Sequence, residues 1–346
     1  MIFQIKEYKH ELVAFGSDAT SGLKAIIAIH STKLGPSLGG CRIFPYKNEQ
    51  DAVEDALRLS AGMTKKAALA NLKLGGGKSV IIGHPKRKKS RDLLLAMGDF
   101  VEKMKGQYII AEDVGSSVHD MQIIRERTKH VVGLSLSHGG SGDPSIFTAL
   151  GTLKGIKAAA LYKFGDSSLK GRKVIVQGLG HVGSNLCSLL HKEKAHLLVY
   201  DPLKSQMNKA VKEYGATPLA QSEVLTTKAD IFAPCALGGI LSDLTIPNLK
   251  VSIVAGAANN QLKKEANGLL LKKYNILYAP DFVINAGGLI NVSYEGPFYK
   301  KSAPLNHLDC ISSTLNEIFS ISESENIPTS QAADLLAKER LNRASL

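Results

Sequence analysis

Two groups of residues carry the chemistry that can be read from this chain. The first is Gly178, Gly180 and Gly183, a G-x-G-x-x-G pattern that directly follows the apolar run Lys173–Gln177. The first glycine permits a tight turn, the second lets backbone approach a pyrophosphate, and the third lets the next helix pack close to its strand. The phosphates then rest on the helix N-terminus, with Leu179, His181, Val182 and Ser184 completing the turn and the first helical residues. Asp201 closes the next apolar run, His196–Tyr200. A carboxylate there accepts hydrogen bonds from the adenosine ribose and repels a 2′-phosphate, so NAD is expected rather than NADP. Lys204, close by, softens that preference. The alternative is a glycine turn of a parallel sheet that holds no ligand.

The second group is Lys66, Lys78 and Asp113. Two lysines and an aspartate can together supply a fixed cation for an anionic substrate group, a base, and a group that relays protons. A lysine that is partly desolvated beside another cation loses basicity and can act as that base, and a carboxylate can shuttle the protons. Taken singly, each of the three reads equally well as a surface charge. The segment Gly75–Ser79 (GGGKS) invites a phosphate-loop reading, which fails twice. The pattern needs a glycine at position 72, which is Leu, and the residues that follow, VIIG, have strand rather than helix character.

The elements that must position these groups alternate between strand and helix. Lys24–Ser31 is a short apolar strand, and Asn48 with Asp51 marks a helix start whose pattern runs to about Ala70. Leu72–Gly83 reads as strand, glycine break, strand, and Tyr108–Asp113 as a strand ending in two carboxylates. Gly139–Pro144 (GGSGDP) is the strongest punctuation, and the domain crossing is placed just before it. Beyond it come a helix near Ser145–Phe164, the strand and glycine turn above, and short apolar strands at Ile231–Ala233, Val251–Ala255 and Ile276–Ala279. Polar helical segments close the chain from about Leu305 to Asn342. The pattern predicts an α/β protein with a doubly wound parallel sheet.

Composition narrows the class. The chain has 346 residues, enough for two domains, and 44% of them are hydrophobic. The net charge of +12 is spread widely apart from the run His84–Arg91 (HPKRKKSR), which reads as a solvated loop or as a polyanion contact. No nucleic-acid partner is expected. Lys6, Glu7 and Lys9 leave no apolar core for a signal peptide, and no stretch is long enough to span a bilayer, so no membrane association is expected. None of Cys41, Cys187, Cys235 and Cys310 forms a CxxC pair, so no metal site is expected and a reducing cytoplasm fits.

At these residues the chain resembles the Glu/Leu/Phe/Val dehydrogenase superfamily, the leucine dehydrogenases above all. The resemblance runs from about Lys24 to Arg340. It is carried by LGPSLGGCR (Leu34–Arg42), EDALRLSAGMTKKAA (Glu54–Ala68), LGGGKSVIIG (Leu74–Gly83) and AEDVGSS (Ala111–Ser117), then by VQGLGHVG, DIFAPCALGGI, AGAANNQL and APDFVINAGGLINV. It implies a substrate-binding and oligomerisation domain over residues 1–134, a Rossmann NAD domain over 135–327, and a C-terminal helix, 328–346, packing back on the first. The active cleft is then expected between the domains.

The resemblance places carboxylate binding on Lys66, the catalytic lysine on Lys78 and the proton-shuttling aspartate on Asp113. Gly39 and Gly40 would line the substrate floor, Thr148 would meet the nicotinamide carboxamide, and Asn259 and Asn260 the nearby ribose. The side-chain pocket would be Leu38, Ala111, Leu289 and Val292. Glutamate dehydrogenases carry a lysine at the Leu38 position, so an apolar side chain is expected. The implied reaction is reversible oxidative deamination of leucine, valine or isoleucine to the 2-oxo acid, ammonium and NADH, by a homo-oligomer of two or more subunits. An aromatic amino acid, tryptophan or phenylalanine, is the alternative substrate. Cys41 stands where threonine is usual, His181 where asparagine is, and Leu289 where leucine dehydrogenases commonly have valine. A protein that binds NAD without turnover is the remaining reading, and the intact set Lys66, Lys78 and Asp113 speaks against it.

Overall fold

The computed structural model describes residues 9–86 and 89–343. Arg87 and Lys88 of the basic run, and Met1–Tyr8, on which the leader-peptide reading partly rests, lie outside the described residues. The chain forms two compact units. One comprises the chain up to Asp143, Val292–Lys301 and the chain from Ala337, and the other Pro144–Asn291 and Ser302–Leu336.

The first unit is built on a five-stranded sheet. Its strands are β1 (Leu12–Asp18), β2 (Leu23–Ser31), β3 (Ser37–Phe44), β4 (Gly75–Ile82) and β5 (Tyr108–Glu112), in the order β1-β2-β4-β3-β5. β1 and β2 are antiparallel, as are β2 and β4, whereas β3 runs parallel to both β4 and β5. Side chains alternate across a strand, so β2 feeds two cores. Ile26 and Ala28 pack with Val80 against Ala52, Val53, Ala56 and Leu57 of helix Glu49–Leu69. Ala25, Ile27 and Ile29 face the other way, toward Leu93, Leu94 and Met97 of helix Arg91–Glu102 and Met121 and Ile124 of helix Val118–Arg125. The long helix starts where its capping residue predicts, since the Asn48 side chain accepts a hydrogen bond from the Asp51 amide at 2.8 Å.

Gly75–Gly77 do not break a strand, as the sequence suggests, but open β4. The reason is close packing from several sides. A Cβ on Gly76 would lie 2.1 Å from the Thr64 amide of the helix, one on Gly77 would lie 2.7 Å from the Tyr108 ring, and one on Gly75 would lie 1.9 Å from the Ser31 carbonyl.

The first unit extends beyond residue 134 for a local reason. The Glu295 carboxylate accepts hydrogen bonds from the amides of Gly133 and Ser141 and from the Ser141 hydroxyl, which ties Val292–Lys301 to this part of the chain. The end of helix Thr329–Arg343 joins the unit through Arg340, whose guanidinium donates to the Leu69 carbonyl and the Asn71 side chain.

The second unit holds a parallel sheet of β6 (Lys173–Gln177), β7 (His196–Tyr200), β8 (Thr217–Pro218), β9 (Ile231–Pro234), β10 (Ile253–Val254) and β11 (Leu277–Tyr278). Read from one edge, β8-β7-β6-β9-β10-β11 is the third, second, first, fourth, fifth and sixth strand of the unit. That is the doubly wound order of dinucleotide-binding folds, with the direction of winding reversing between β6 and β9. Helix Ser145–Phe164 has the limits expected from sequence. Among the described residues, no helix is long and apolar enough to cross a membrane.

Candidate active site

In the first unit, register and pleat gather the charged residues on one face of the sheet. Gly76 and Val80 of β4 face helix Glu49–Leu69, so Lys78, between them at the same parity, faces it too. Pairing of β3 with β4 and β5 puts Leu38, Gly40, Arg42 and Ala111 on that face, and Asp113 follows immediately after β5. Lys78 is only 6% exposed, and its ammonium meets the Asp113 carboxylate at 2.5 Å from Nζ to Oδ2. Arg42 Nε donates to the same oxygen at 3.0 Å.

Burial pushes the Lys78 amine below the ordinary lysine range, further than contact with Asp113 raises it, and the Arg42 charge adds to the depression. Burial pulls the Asp113 carboxyl upward, but the Lys78 charge and hydrogen bond, helped by Arg42, outweigh it and hold the group below its ordinary value. The cluster therefore contains a poorly solvated amine in direct contact with an ionised carboxylate. Such a pair can take a proton from a substrate and pass it on.

The two β3 glycines are explained by packing. A Cβ on Gly40 would lie 2.7 Å from the Asp113 Cβ, so the glycine leaves room for that side chain. A Cβ on Gly39 would lie 1.8 Å from the Gly77 carbonyl oxygen, so Gly39 lets two strands approach closely. Leu38 is buried, Ala111 is half-buried, and Lys66 lies half-buried in the last turn of its helix.

In the second unit the glycine turn has the expected construction. Gly178 sits at φ +95°, and a Cβ on Gly183 would lie 1.9 Å from the Gly178 carbonyl oxygen. A Cβ on Gly180 would meet nothing within 4 Å, so the space beside this residue is open. Gly180, the N-cap of helix His181–Lys192, has no side chain to place on the helix start, and the Ser184 hydroxyl is turned back onto the Leu179 carbonyl at 2.6 Å. An anion fits such a helix start. Asp201 is 8% exposed, and its two oxygens accept from the amides of Leu179 at 2.7 Å and Leu203 at 2.8 Å. A carboxylate has about four lone-pair sites, so capacity for a ribose hydroxyl remains.

Elsewhere in this unit, Gly287 and Gly288 let their helix lie on the start of helix Ser145–Phe164. A Cβ on Gly288 would lie 2.8 Å from the Thr148 hydroxyl, which itself donates to the Pro144 carbonyl. Leu289, on the same helix, is nearly buried at 8% exposure. Val292, at 9%, follows on that helix but belongs to the first unit. Asn259 and Asn260 are exposed.

Residues 11–130 match the family model described as the Glu/Leu/Phe/Val dehydrogenase dimerisation domain, and residues 199–296 match Glutamate/Leucine/Phenylalanine/Valine dehydrogenase. Over 337 residues the chain is 48% identical to leucine dehydrogenase of Geobacillus stearothermophilus, covering 97% of this chain and 92% of that one. The chain belongs to the Glu/Leu/Phe/Val dehydrogenase family. It is an oxidoreductase of the amino-acid dehydrogenase class. It is also 47% identical to L-tryptophan dehydrogenase of Nostoc punctiforme over 98% of this chain and 96% of the relative. The crystal structure of L-tryptophan dehydrogenase from Nostoc punctiforme superposes with a TM-score of 0.90 and 45% identity, covering 100% of both chains.

Three residues gain a place in this dehydrogenase that sequence reasoning left without a role. Arg42 lies inside the motif LGPSLGGCR, and its contact with Asp113 is foreshadowed only by its position two residues beyond Gly40 on the same face. Asp55 holds Arg42 at 2.7 Å and has no sequence signal beyond its helical phase. Asn285 donates to the Asn259 side chain at 2.7 Å and to the Ala257 carbonyl, so it orders the exposed asparagine.

Proposed function

We propose that this dehydrogenase oxidatively deaminates a small or medium apolar L-amino acid (leucine, valine or isoleucine) with NAD. The products are the 2-oxo acid, ammonium and NADH, and the reaction is reversible. The observation that carries the reading is the buried Lys78–Asp113 pair on the sheet face that also presents Leu38 and Ala111. Lys66 is assigned to the substrate carboxylate. Lys78 takes the proton that activates water for attack on the substrate iminium carbon, and Asp113 moves the amine protons.

NAD, when bound, supplies a nicotinamide ring that accepts a hydride. The turn Gly178–Ser184 would hold its pyrophosphate, Asp201 its adenosine ribose, Thr148 its carboxamide, and Asn259 and Asn260 its second ribose. NAD is preferred to NADP because a 2′-phosphate would face the Asp201 carboxylate. The first unit is the substrate and oligomerisation domain and the second the NAD domain, and the enzyme works as a homo-oligomer of two or more subunits. The family description of the first unit as a dimerisation domain supports this. The buried thiols Cys41 and Cys187 suit a reducing cytoplasm.

An apolar substrate side chain follows from Leu38. A glutamate carboxylate beside it would lose its water without gaining a cation, a cost of several kcal/mol. The second reading, an aromatic amino acid, draws on the tryptophan dehydrogenase at 47% identity, which total identity does not separate from the leucine enzyme at 48%. Leu289 favours the smaller substrates, because overpacking a ring against it is costly. Rates of NADH formation from leucine, valine, phenylalanine, tryptophan and glutamate decide between the readings. Leucine and valine should exceed tryptophan in kcat/KM by at least about tenfold and glutamate by more, since buried polar groups discriminate more strongly than size. A preference for tryptophan would install the second reading, and a preference for glutamate would remove both.

A further inference from the structure

The Lys78–Asp113 pair has a second cation on it, and both cations use one oxygen. Lys78 Nζ and Arg42 Nε both approach Asp113 Oδ2, at 2.5 and 3.0 Å. The guanidinium is itself anchored, with Arg42 Nη1 on Asp55 Oδ2 at 2.7 Å. Asp55 is fixed in turn by the Tyr46 hydroxyl at 2.6 Å and by Arg58 Nη2 on its other oxygen at 2.8 Å. A planar guanidinium with separate partners on Nε and Nη1 cannot pivot without giving one of them up.

We propose that Arg42 is a positioning residue of this dehydrogenase. Clamped by Asp55, it fixes the rotation of the Asp113 carboxylate so that Oδ2 is held by the two cations and Oδ1 is presented to the substrate amine. The proposal rests on the assignment of Asp113 as the proton shuttle.

Several observations agree on this role. The backbone amide of Asp113 donates to the Ser116 hydroxyl, which in turn donates to the Cys41 carbonyl, so the chain carrying the carboxylate is held from behind. Gly40 leaves the space that a side chain would take from Asp113, since a Cβ there would lie 2.7 Å from the Asp113 Cβ. The carboxylate itself is held by the Lys78 ammonium, by the Val114 amide and by Arg42, and of the two cations Arg42 is the one whose own direction is fixed by a second carboxylate, Asp55. The charge of Arg42 also acts on both partners in the same direction, helping to depress the Lys78 amine and the Asp113 carboxyl. The other titratable groups on the elements around the pair are Cys41 of β3, Tyr108 and Glu112 of β5, and Glu49, Asp51, Glu54, Asp55, Arg58, Lys65 and Lys66 of helix Glu49–Leu69, with Tyr46 just beyond β3. Of these, Asp55 accepts from Arg42 at 2.7 Å, and the Tyr46 hydroxyl lies against both.

Two substitutions separate charge from geometry. Arg42→Lys keeps the charge and loses the fork, whereas Arg42→Gln loses both. In the full-length enzyme with NAD and leucine, both should lower kcat by roughly ten- to a hundredfold, with the leucine KM within about threefold of wild type, because misplacement by about an ångström has that cost. Removing the charge raises the pKa of both Asp113 and Lys78, so only Arg42→Gln should carry the acid limb of kcat/KM to higher pH, by about one unit. A residue that merely stabilised the fold would lower the melting temperature and leave kcat per folded enzyme and the acid limb unchanged, and that result overturns the proposal. So does an equal pH shift in both variants. If neither variant folds, Tyr46→Phe decides, since it keeps Arg42 and its charge and removes only the hydroxyl that holds Asp55 and lies beside Arg42. A several-fold loss of kcat without a pH shift supports the clamp, and an unchanged kcat overturns it. NADH formation by the wild-type enzyme is measured first, and its absence with every amino acid would count against the reaction and not against Arg42.

Discussion

The two units of this dehydrogenase solve their problems with different materials. In the first, the candidate site is made of side chains: two cations on one carboxylate oxygen, and a further carboxylate behind them. In the second it is made of backbone, a turn in which Gly180 leaves the space beside the main chain and the helix start open. The charged cluster depends on partners far apart in sequence, with Asp113 lying 71 residues from Arg42. The glycine turn depends on residues next to one another. Catalysis by proton transfer needs a perturbed side chain, whereas holding a pyrophosphate needs only well-placed amides.

Within the turn, the sharpest contrast is between two glycines. Gly183→Ala should damage both the fold and cofactor binding, because its methyl group would lie 1.9 Å from the Gly178 carbonyl oxygen. Overpacking of this kind costs about 1–3 kcal/mol, read as a lower melting temperature with a raised KM for NAD. Gly180→Ala should leave the melting temperature within about a degree, since nothing lies within 4 Å, and still raise the KM for NAD. Equal melting temperatures for the two variants would break the distinction between a glycine kept for packing and one kept for a ligand.

Asp201→Ser should act on cofactor choice and leave the first unit's chemistry alone. Wild type should favour NAD over NADP by at least about tenfold in kcat/KM, equivalent to ~1.4 kcal/mol, and the substitution should narrow that gap. Because the carboxylate also holds the Leu179 amide at 2.7 Å, a rise in the KM for NAD should accompany the change. Comparable wild-type rates with both cofactors would remove Asp201 as the selector. Leu289→Val should improve the larger substrates relative to valine, within the ~1–3 kcal/mol that a methylene is worth. No change in the ratio of leucine to valine would take Leu289 out of the specificity account.

The same contrast governs what could be read from sequence. The glycine turn, the strands beside it and helix Ser145–Phe164 are legible because strand, turn and helix start are local patterns. Helix Glu49–Leu69 announces itself through Asn48. β1 (LVAFGSD) offers little signal, since its short apolar run shows no alternation of apolar and polar residues and ends in Gly-Ser-Asp. Gly75–Gly77 look like a break because three glycines weaken any strand pattern. The neighbours that explain them, Ser31, the helix residue Thr64 and Tyr108, come from distant parts of the chain. Lys66, Lys78 and Asp113 stand out by residue type, but Arg42 and Asp55 do not, because the clamp exists only once β3, β5 and the helix are brought together. The unit boundary at Asp143 likewise depends on Glu295, which no local pattern connects to Ser141.

The measurement that bears most directly on the central claim is made on Lys78→Ala, with kcat for leucine and the dissociation constant for NADH determined on the same preparation. If the buried pair performs proton transfer and the glycine turn holds the cofactor, kcat should fall by about a hundredfold or more while NADH binding stays within about twofold of wild type. A variant that keeps more than about a tenth of the wild-type kcat, or that loses NADH binding along with activity, would contradict the assignment of the chemistry to Lys78 and Asp113.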